Sequence, residues 1–221
     1  MITLHGFQQS SASFRVRIAL NLKGVRYETR SHDLSRGEHR ARDYLAINPQ
    51  GLLPSLEMPD AVLTQSLAII EYLDARYPDP PLLPEDRLGE ARVRALSQLI
   101  AADTHPVTSM RVANYLKQTL RHDDSDIREW RFHWFRESFG AFEALLEKSA
   151  ETGRFCHGDQ PTLADIALVP QVFTARRLGL QFDAWPTLTG ITDACMDLPA
   201  FSQAYGEVYT PFSRVDTSTV G

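Results

Sequence analysis

Four prolines, Pro78, Pro80, Pro81 and Pro84, fall within seven residues, and a proline, having no N–H and a ring that crowds the preceding turn, stops any helix that reaches it. They cut the chain into two unlike parts. Ahead of them, short runs alternating with period two are interleaved with helical stretches; from Asp86 onward only helical spacing is found. The expected fold class is therefore an α/β unit over residues 1–79, a linker over 78–85 and an all-helical unit over 85–221.

Ile2 to His5 alternates and predicts a strand, broken at Gly6. A helix is expected from Ser13 to Lys23, with Phe14, Ile18 and Leu22 on one face and Gly24 as its left-handed terminator. Val25 to Ser31 alternates again, which gives a β-α-β unit and hence a parallel pair. Between Leu34 and Ile47 the pattern is weak, with a short helix over Arg40 to Leu45, before the turn Asn48-Pro49-Gln50-Gly51. Pro54 opens the strand that runs to Met58, and generic preference makes the Leu53-Pro54 bond trans; a cis bond would present the Leu53 backbone to a ligand. Ala61 to Leu63 returns antiparallel, and Ser66 is expected to cap a helix from Leu67 to Tyr77. The order calls for a four-stranded mixed sheet.

Past the prolines, helices are expected over 87–119, 125–148, 162–178, 187–197 and 200–207, with kinks at Pro106 and Pro170. Thr162-Leu163-Ala164-Asp165 has the spacing of a capping box, a folding element to which no catalytic role is given. Trp130 and Trp134, four apart, read as packing surface. The tail from Ser213 to Gly221 is polar and expected to fray.

Several function classes fall away on composition. A net charge of −5 without long runs of one sign offers no electrostatic footprint for nucleic acid. No stretch is long and apolar enough for a membrane span, and no targeting segment precedes the first strand. Cys156 and Cys195 are too few for a disulfide framework or a tetrahedral zinc site, so a reducing, cytoplasmic setting and no metal are expected.

Chemistry is concentrated in Ser10-Ser11-Ala12-Ser13-Phe14-Arg15, a hydroxyl-rich loop running into a helix. The N–H groups of a first helical turn are unpaired and carry partial positive charge, so they stabilise an anion, and a thiolate is such an anion. From this segment alone the simpler reading is that one serine caps the helix. Arg176 and Arg177 are equally balanced between complementing the dipole of their helix and binding a carboxylate, whose two oxygens the guanidinium fork matches.

Together, Ser10 to Leu20, Asn48 to Pro54, Gln65 to Leu73 and Thr162 to Asp165 closely resemble a cytosolic glutathione transferase. The Ser-Ser-x-Ser-x-Arg-Val-Arg-Ile-Ala-Leu stretch, His105-Pro106 with Met110-Arg111-Val112, and Leu168 to Val172 with Ala175-Arg176-Arg177 are similar to the zeta class, which includes maleylacetoacetate isomerase and resembles bacterial maleylpyruvate isomerase. The resemblance implies a thioredoxin-like first domain, an all-helical second domain, a homodimer, and glutathione as cofactor. It implies a cis bond at Pro54. It assigns glutathione to Ser10, Ser11, Ala12, Ser13, Phe14, Arg15, His39, Leu53, Gln65, Ser66, His105, Ser109, Met110 and Arg111, and the carboxylates of a maleyl diacid to Arg177, Arg15 and Arg111. Two departures stand out: Ala12 replaces the usual cysteine, and Ala204-Tyr205-Gly206-Glu207 replaces a proline-containing ending.

The activity so implied is cis-trans isomerisation of maleylacetoacetate in tyrosine breakdown, by reversible addition of a thiolate to the double bond. Ser11 is expected to donate to the sulfur, with Ser10 beside it and Ser13 as the helix cap. Three alternatives remain open: maleylpyruvate as substrate, a transferase or dehalogenase that consumes glutathione, and a non-catalytic glutathione-binding module.

Overall fold

The computed structural model describes residues 1–206. Its first part runs β1 (Thr3–Gly6), α1 (Ser11–Leu22), β2 (Glu28–Ser31), a 3-10 turn (Glu38–Arg40), α2 (Arg42–Ile47), β3 (Ser55–Met58), β4 (Ala61–Thr64) and α3 (Ser66–Arg76). The second continues with α4 (Arg87–Gln98), a π-helical turn (Leu99–Thr104), α5 (His105–Thr108), α6 (Met110–Gln118), α7 (Asp124–Glu147), α8 (Leu163–Arg177), α9 (Pro186–Met196) and α10 (Pro199–Gly206). The expected frayed tail, and Glu207 of the expected last helix, lie outside the described residues.

The sheet has the order β2-β1-β3-β4, with β1 parallel to β2 and antiparallel to β3, and β3 antiparallel to β4. The central β1 buries Leu4 and His5, whereas all four residues of the edge strand β2 are exposed. The α/β reading and the helical second part both hold.

Several expectations need correction. The first helix begins at Ser11 rather than Ser13, and its cap is Ser10, whose extended backbone lets its Oγ accept from the Ser13 N–H at 3.2 Å. Ser13 is fully buried, with its Oγ turned back to accept from the Phe7 N–H at 3.3 Å. Ser66 is not the cap of α3 but its first residue. The flanking Gln65 takes a left-handed backbone (φ 68°) and makes no side-chain cap bond, while the Ser66 Oγ accepts from Arg15 Nη1 at 3.3 Å. The long helix expected over 87–119 is three helices and a π turn. Pro106 cannot donate to residue 102 and its ring would strike that carbonyl, so the chain widens just ahead of it and then breaks at Ser109, whose backbone is extended. At Pro170, by contrast, α8 runs on without interruption.

α1 closes on a Schellman arrangement: Gly24, at φ 62°, donates to Asn21 O at 3.1 Å, and Val25 donates to Leu20 O at 2.9 Å. Every residue from Ser11 to Leu20 is buried. One apolar face was expected, but α1 is enclosed because α3 and α8 pack against it and α10 covers it as well. Arg17 satisfies its charge on main-chain oxygens, Nε to Ala204 O at 3.1 Å and Nη2 to Gln8 O at 3.3 Å.

The linker is pinned between the two parts. Leu82 is buried, its N–H donates to Asp74 Oδ1 at 2.9 Å and its carbonyl accepts from the Leu163 N–H at 2.9 Å. Asp74 also holds the Lys23 ammonium at 2.6 Å. A single apolar cluster extends from Leu4 through α1, α3 and α4 to Phe201 and Ala204.

Candidate active site

β1 ends at Gly6, and the chain turns through Phe7 to Gln9 into the N-terminus of α1. A Cβ on Gly6 would lie 3.2 Å from the Ser13 Oγ, so this close passage of strand against helix accommodates a glycine. Beyond the carboxyl end of a strand, at a helix N-terminus, is where an α/β sheet offers a ligand site. The Ser13 N–H is taken by Ser10 and the Phe14 N–H by Ser10 O at 2.9 Å. The N–H groups of Ser11 and Ala12 have no partner among the described residues.

Around this turn the fold collects residues from both parts of the chain. The Ser11 Oγ lies 3.0 Å from His105 Nδ1, which brings α5 onto α1. His105 is held down to about 3, first by burial and then by the charge of Arg15, with Arg111 adding a smaller push, so the ring is neutral at physiological pH. Arg15, 1% exposed, is lowered to about 10 by burial and remains a cation. It donates to Ser66 Oγ at 3.3 Å and to Gln171 Oε1 at 3.5 Å, and its Nε has no partner among the described residues. The N-termini of α1 and α3 are thereby tied together.

Gln65 holds the backbone that a non-glycine residue seldom adopts, a conformation found where a site needs its residue aimed. Its Nε2 donates to Gln50 Oε1 at 2.9 Å. At the neighbouring Gly51 a Cβ would sit 3.1 Å from the His39 carbonyl, so the 3-10 turn closes over the same loop. The His39 Nδ1 is buried without a partner among the described residues, and burial holds its pKa below the usual histidine value. The Leu53-Pro54 bond is cis, against the generic preference for trans.

Arg177 stands at the end of α8 with its Nη2 3.5 Å from Gln9 O, next to Ser10. Arg176 has Nη1 4.0 Å from Asp193 Oδ1 and lies over the Phe182 ring. Other expected members are less involved through their side chains. Phe14 packs against Phe173 and Tyr205, the Ser109 Oγ donates to Pro106 O at 2.7 Å, and Met110 is exposed.

Two residues of the site escaped the sequence reading. Gln171, 1% exposed on α8, bridges Arg15, His105 and Thr108. Arg131 of α7 donates from Nε to Thr108 O at 3.1 Å, and its pKa is lowered by burial first and by Arg177 second, which puts two cations on one space. Neither carries a local signal, because a glutamine after a proline and an arginine on a charged helix are ordinary. Asp165 keeps its folding role: its carboxylate accepts from the N–H groups of Cys156 and Thr162, both at 2.8 Å, and completes the capping box. Both cysteines are free and buried, and no group of metal-ligating residues occurs among the described residues.

The family model for the glutathione S-transferase N-terminal domain matches residues 4–81, and that for its C-terminal domain matches residues 116–203. Maleylacetoacetate isomerase of Pseudomonas aeruginosa is 43% identical over 217 residues, covering 97% of this chain and 98% of the relative. The holo structure of maleylpyruvate isomerase, described as a bacterial glutathione transferase of the zeta class, superposes with a TM-score of 0.91 at 43% identity, covering 94% of this chain and 98% of that one. Maleylacetoacetate isomerase of Anaeromyxobacter dehalogenans, solved with dicarboxyethyl glutathione and citrate in its active site, gives a TM-score of 0.82 at 37% identity, covering 95% and 96%. With both family models matched in order and relatives aligned along nearly the whole length, the chain belongs to the glutathione S-transferase family, in the zeta class of its maleylpyruvate isomerase neighbour.

Proposed function

We propose that this chain is a glutathione-dependent cis-trans isomerase of maleylacetoacetate, with maleylpyruvate as the alternative diacid. The observation that carries the reading is the first turn of α1, where two N–H groups without a partner among the described residues stand beside the buried Ser11 hydroxyl. Such a turn is suited to a sulfur anion.

The surrounding residues fit a tripeptide with a carboxylate at each end. Gln65 and Ser66 open α3, so its N-terminus and the Arg15 guanidinium behind it can hold the γ-glutamyl carboxylate. His39, with its unpartnered Nδ1, is suited to the glycyl end, and the Leu53 main chain to the cysteinyl unit between. Ala12 contributes its backbone N–H to the turn that Ser13 and Phe14 continue, while Arg111, preceded by Ser109 and Met110, acts on His105 from the helical part. When bound there, glutathione supplies a thiolate whose reversible addition to the alkene leaves a single bond free to rotate.

Ser10 and Ser11 hold the sulfur side of the site, and Ser11 donates its hydroxyl hydrogen to the thiolate. Arg177, with Arg131 facing the same space and Arg111 at its edge, takes the carboxylates of the diacid and offsets the negative charge that gathers on its oxygens as the bond order falls. His105 is neutral and acts on Ser11, not as a base towards the substrate. The dicarboxyethyl glutathione in the Anaeromyxobacter relative joins the same two partners, glutathione and a four-carbon diacid, in one molecule, which supports this chemistry.

We further infer a homodimer in the cytoplasm. Tyr72 on α3 and Leu88 at the start of α4 are large, apolar and exposed on neighbouring helices, which Arg94 and Glu71 tie at 3.1 Å. No helix among the described residues is long and apolar enough to cross a membrane. One assay tests the function: with a maleyl diacid and glutathione, the ultraviolet change should proceed at constant thiol. Loss of thiol would indicate a transferase, and glutathione binding without turnover a binding module. Light scattering after size-exclusion chromatography reads the dimer.

A further inference from the structure

Groups of fixed hydrogen-bonding kind surround His105 and leave one arrangement of protons. The Thr108 hydroxyl lies 2.8 Å from the Thr104 carbonyl oxygen, which can only accept, so the hydroxyl donates there. It therefore accepts from Gln171 Nε2 at 3.2 Å, and this orients the amide. Gln171 Oε1 then faces Arg15 Nη2 at 3.5 Å, a group that can only donate. The two ends of the amide are thus fixed independently. The same Oε1 lies 3.3 Å from His105 Nδ1, and since an oxygen lone pair cannot bond to a nitrogen lone pair, Nδ1 carries the hydrogen. That N–H also meets Ser11 Oγ at 3.0 Å, where the serine is the acceptor.

We propose that Gln171 is a positioning residue: it holds His105 in the Nδ1–H form, so that Ser11 accepts from His105 and keeps its own hydrogen for the glutathione sulfur. The proposal rests on the role given to Ser11 above. In the other tautomer Nδ1 would accept, Ser11 would spend its hydrogen on the ring, and its lone pairs would face the sulfur anion. Two features keep the switch thrown one way. The ring is neutral, because burial and the Arg15 charge oppose a second proton. The far end of the chain is anchored in the backbone of α5 and the π turn through Thr108 and Thr104.

The test combines two readouts on the whole protein. Nitrogen-15 NMR of histidine-labelled protein reads the tautomer, with the His105 signals identified by their loss in His105→Asn. The absorbance of bound glutathione thiolate followed against pH reads the sulfur. The parent should show Nδ1–H. Gln171→Leu should show Nε2–H or a mixture, and its bound thiol should ionise about one pH unit higher, the size of one lost hydrogen bond to an anion. Gln171→Glu, which keeps an acceptor at the place of Oε1, should retain Nδ1–H. An Nε2–H ring in the parent overturns the proposal, and this needs no variant to fold. An unchanged tautomer in folded Gln171→Leu overturns it too. Ser11→Ala separates the two readings: an unchanged thiol there removes the role of Ser11, whereas a raised thiol pKa in Ser11→Ala with none in Gln171→Leu removes that of Gln171 alone.

Discussion

Arg131 Nε lies 3.1 Å from the carbonyl oxygen of Thr108, so a cation from α7 is fixed at the carboxyl end of α5, on the same space as Arg177. Among the described residues its two Nη groups have no hydrogen-bond acceptor of their own. A dianion between Arg131 and Arg177 would relieve the repulsion that lowers the pKa of Arg131 behind its burial. Arg131→Ala and Arg177→Ala should each weaken a competitive dicarboxylate such as malonate about tenfold, the loss of one charge-assisted contact. Each should raise KM more than it lowers kcat. Inhibition constants for malonate against a monocarboxylate check this, since only the dicarboxylate should feel both arginines.

Ser11→Ala should leave the fold intact, because the alanine fills the same place in a buried first turn and the cap at Ser10 is untouched. Turnover at neutral pH should fall about ten- to a hundredfold, the net worth of one hydrogen bond to a charged group. Ser10→Ala removes the cap instead and should cost about 1 kcal/mol of stability, with a milder kinetic effect. Steady-state rates beside thermal denaturation of both variants distinguish the two serines.

His105 gives a signed dependence of stability on pH. Its folded pKa, about 3, lies below the unfolded value near 6.5, so between these limits the unfolded chain binds more protons and stability rises with pH. The contribution is intact above pH 6.5 and is lost as pH falls. Lowering pH from 7 to 5 should cost about 2 kcal/mol from this residue alone. His105→Asn should flatten the urea midpoint over that range. The same neutrality means that no step near pH 6.5 in the rate profile belongs to His105.

Asp165→Ala should be far more damaging than Thr162→Ala. The carboxylate serves the buried N–H groups of Cys156 and Thr162, and its removal orphans both, a loss of about 3 kcal/mol or more. Thr162→Ala loses a cap worth about 1 kcal/mol. Chemical denaturation of the two variants measures the difference.

Sequence periodicity reached the strands, the helical second part and the Thr162 capping box because each is a local pattern. It misjudged the serines because choosing among Ser10, Ser13 and Ser66 as caps depends on where the backbone leaves the helix, and three hydroxyls in four residues allow more than one start. The break at Ser109 was only half visible: Pro106 announces trouble, but the π turn that absorbs it lies upstream of the proline. Gln171 stands in the Leu168 to Val172 stretch that resembles the zeta class, yet no role followed for it, and Arg131 was out of reach altogether. Their partners are 66 and 23 residues away in the chain, and only the docking of α5 between α7 and α8 brings them together.

The burial of α1 from Ser11 to Leu20 has an outcome beyond stability. An element buried from Ser11 to Leu20 and packed against three helices cannot swing aside or accept a bulkier side chain without disturbing those neighbours. The serines of its first turn therefore stand on a stationary floor, fixed before any ligand arrives.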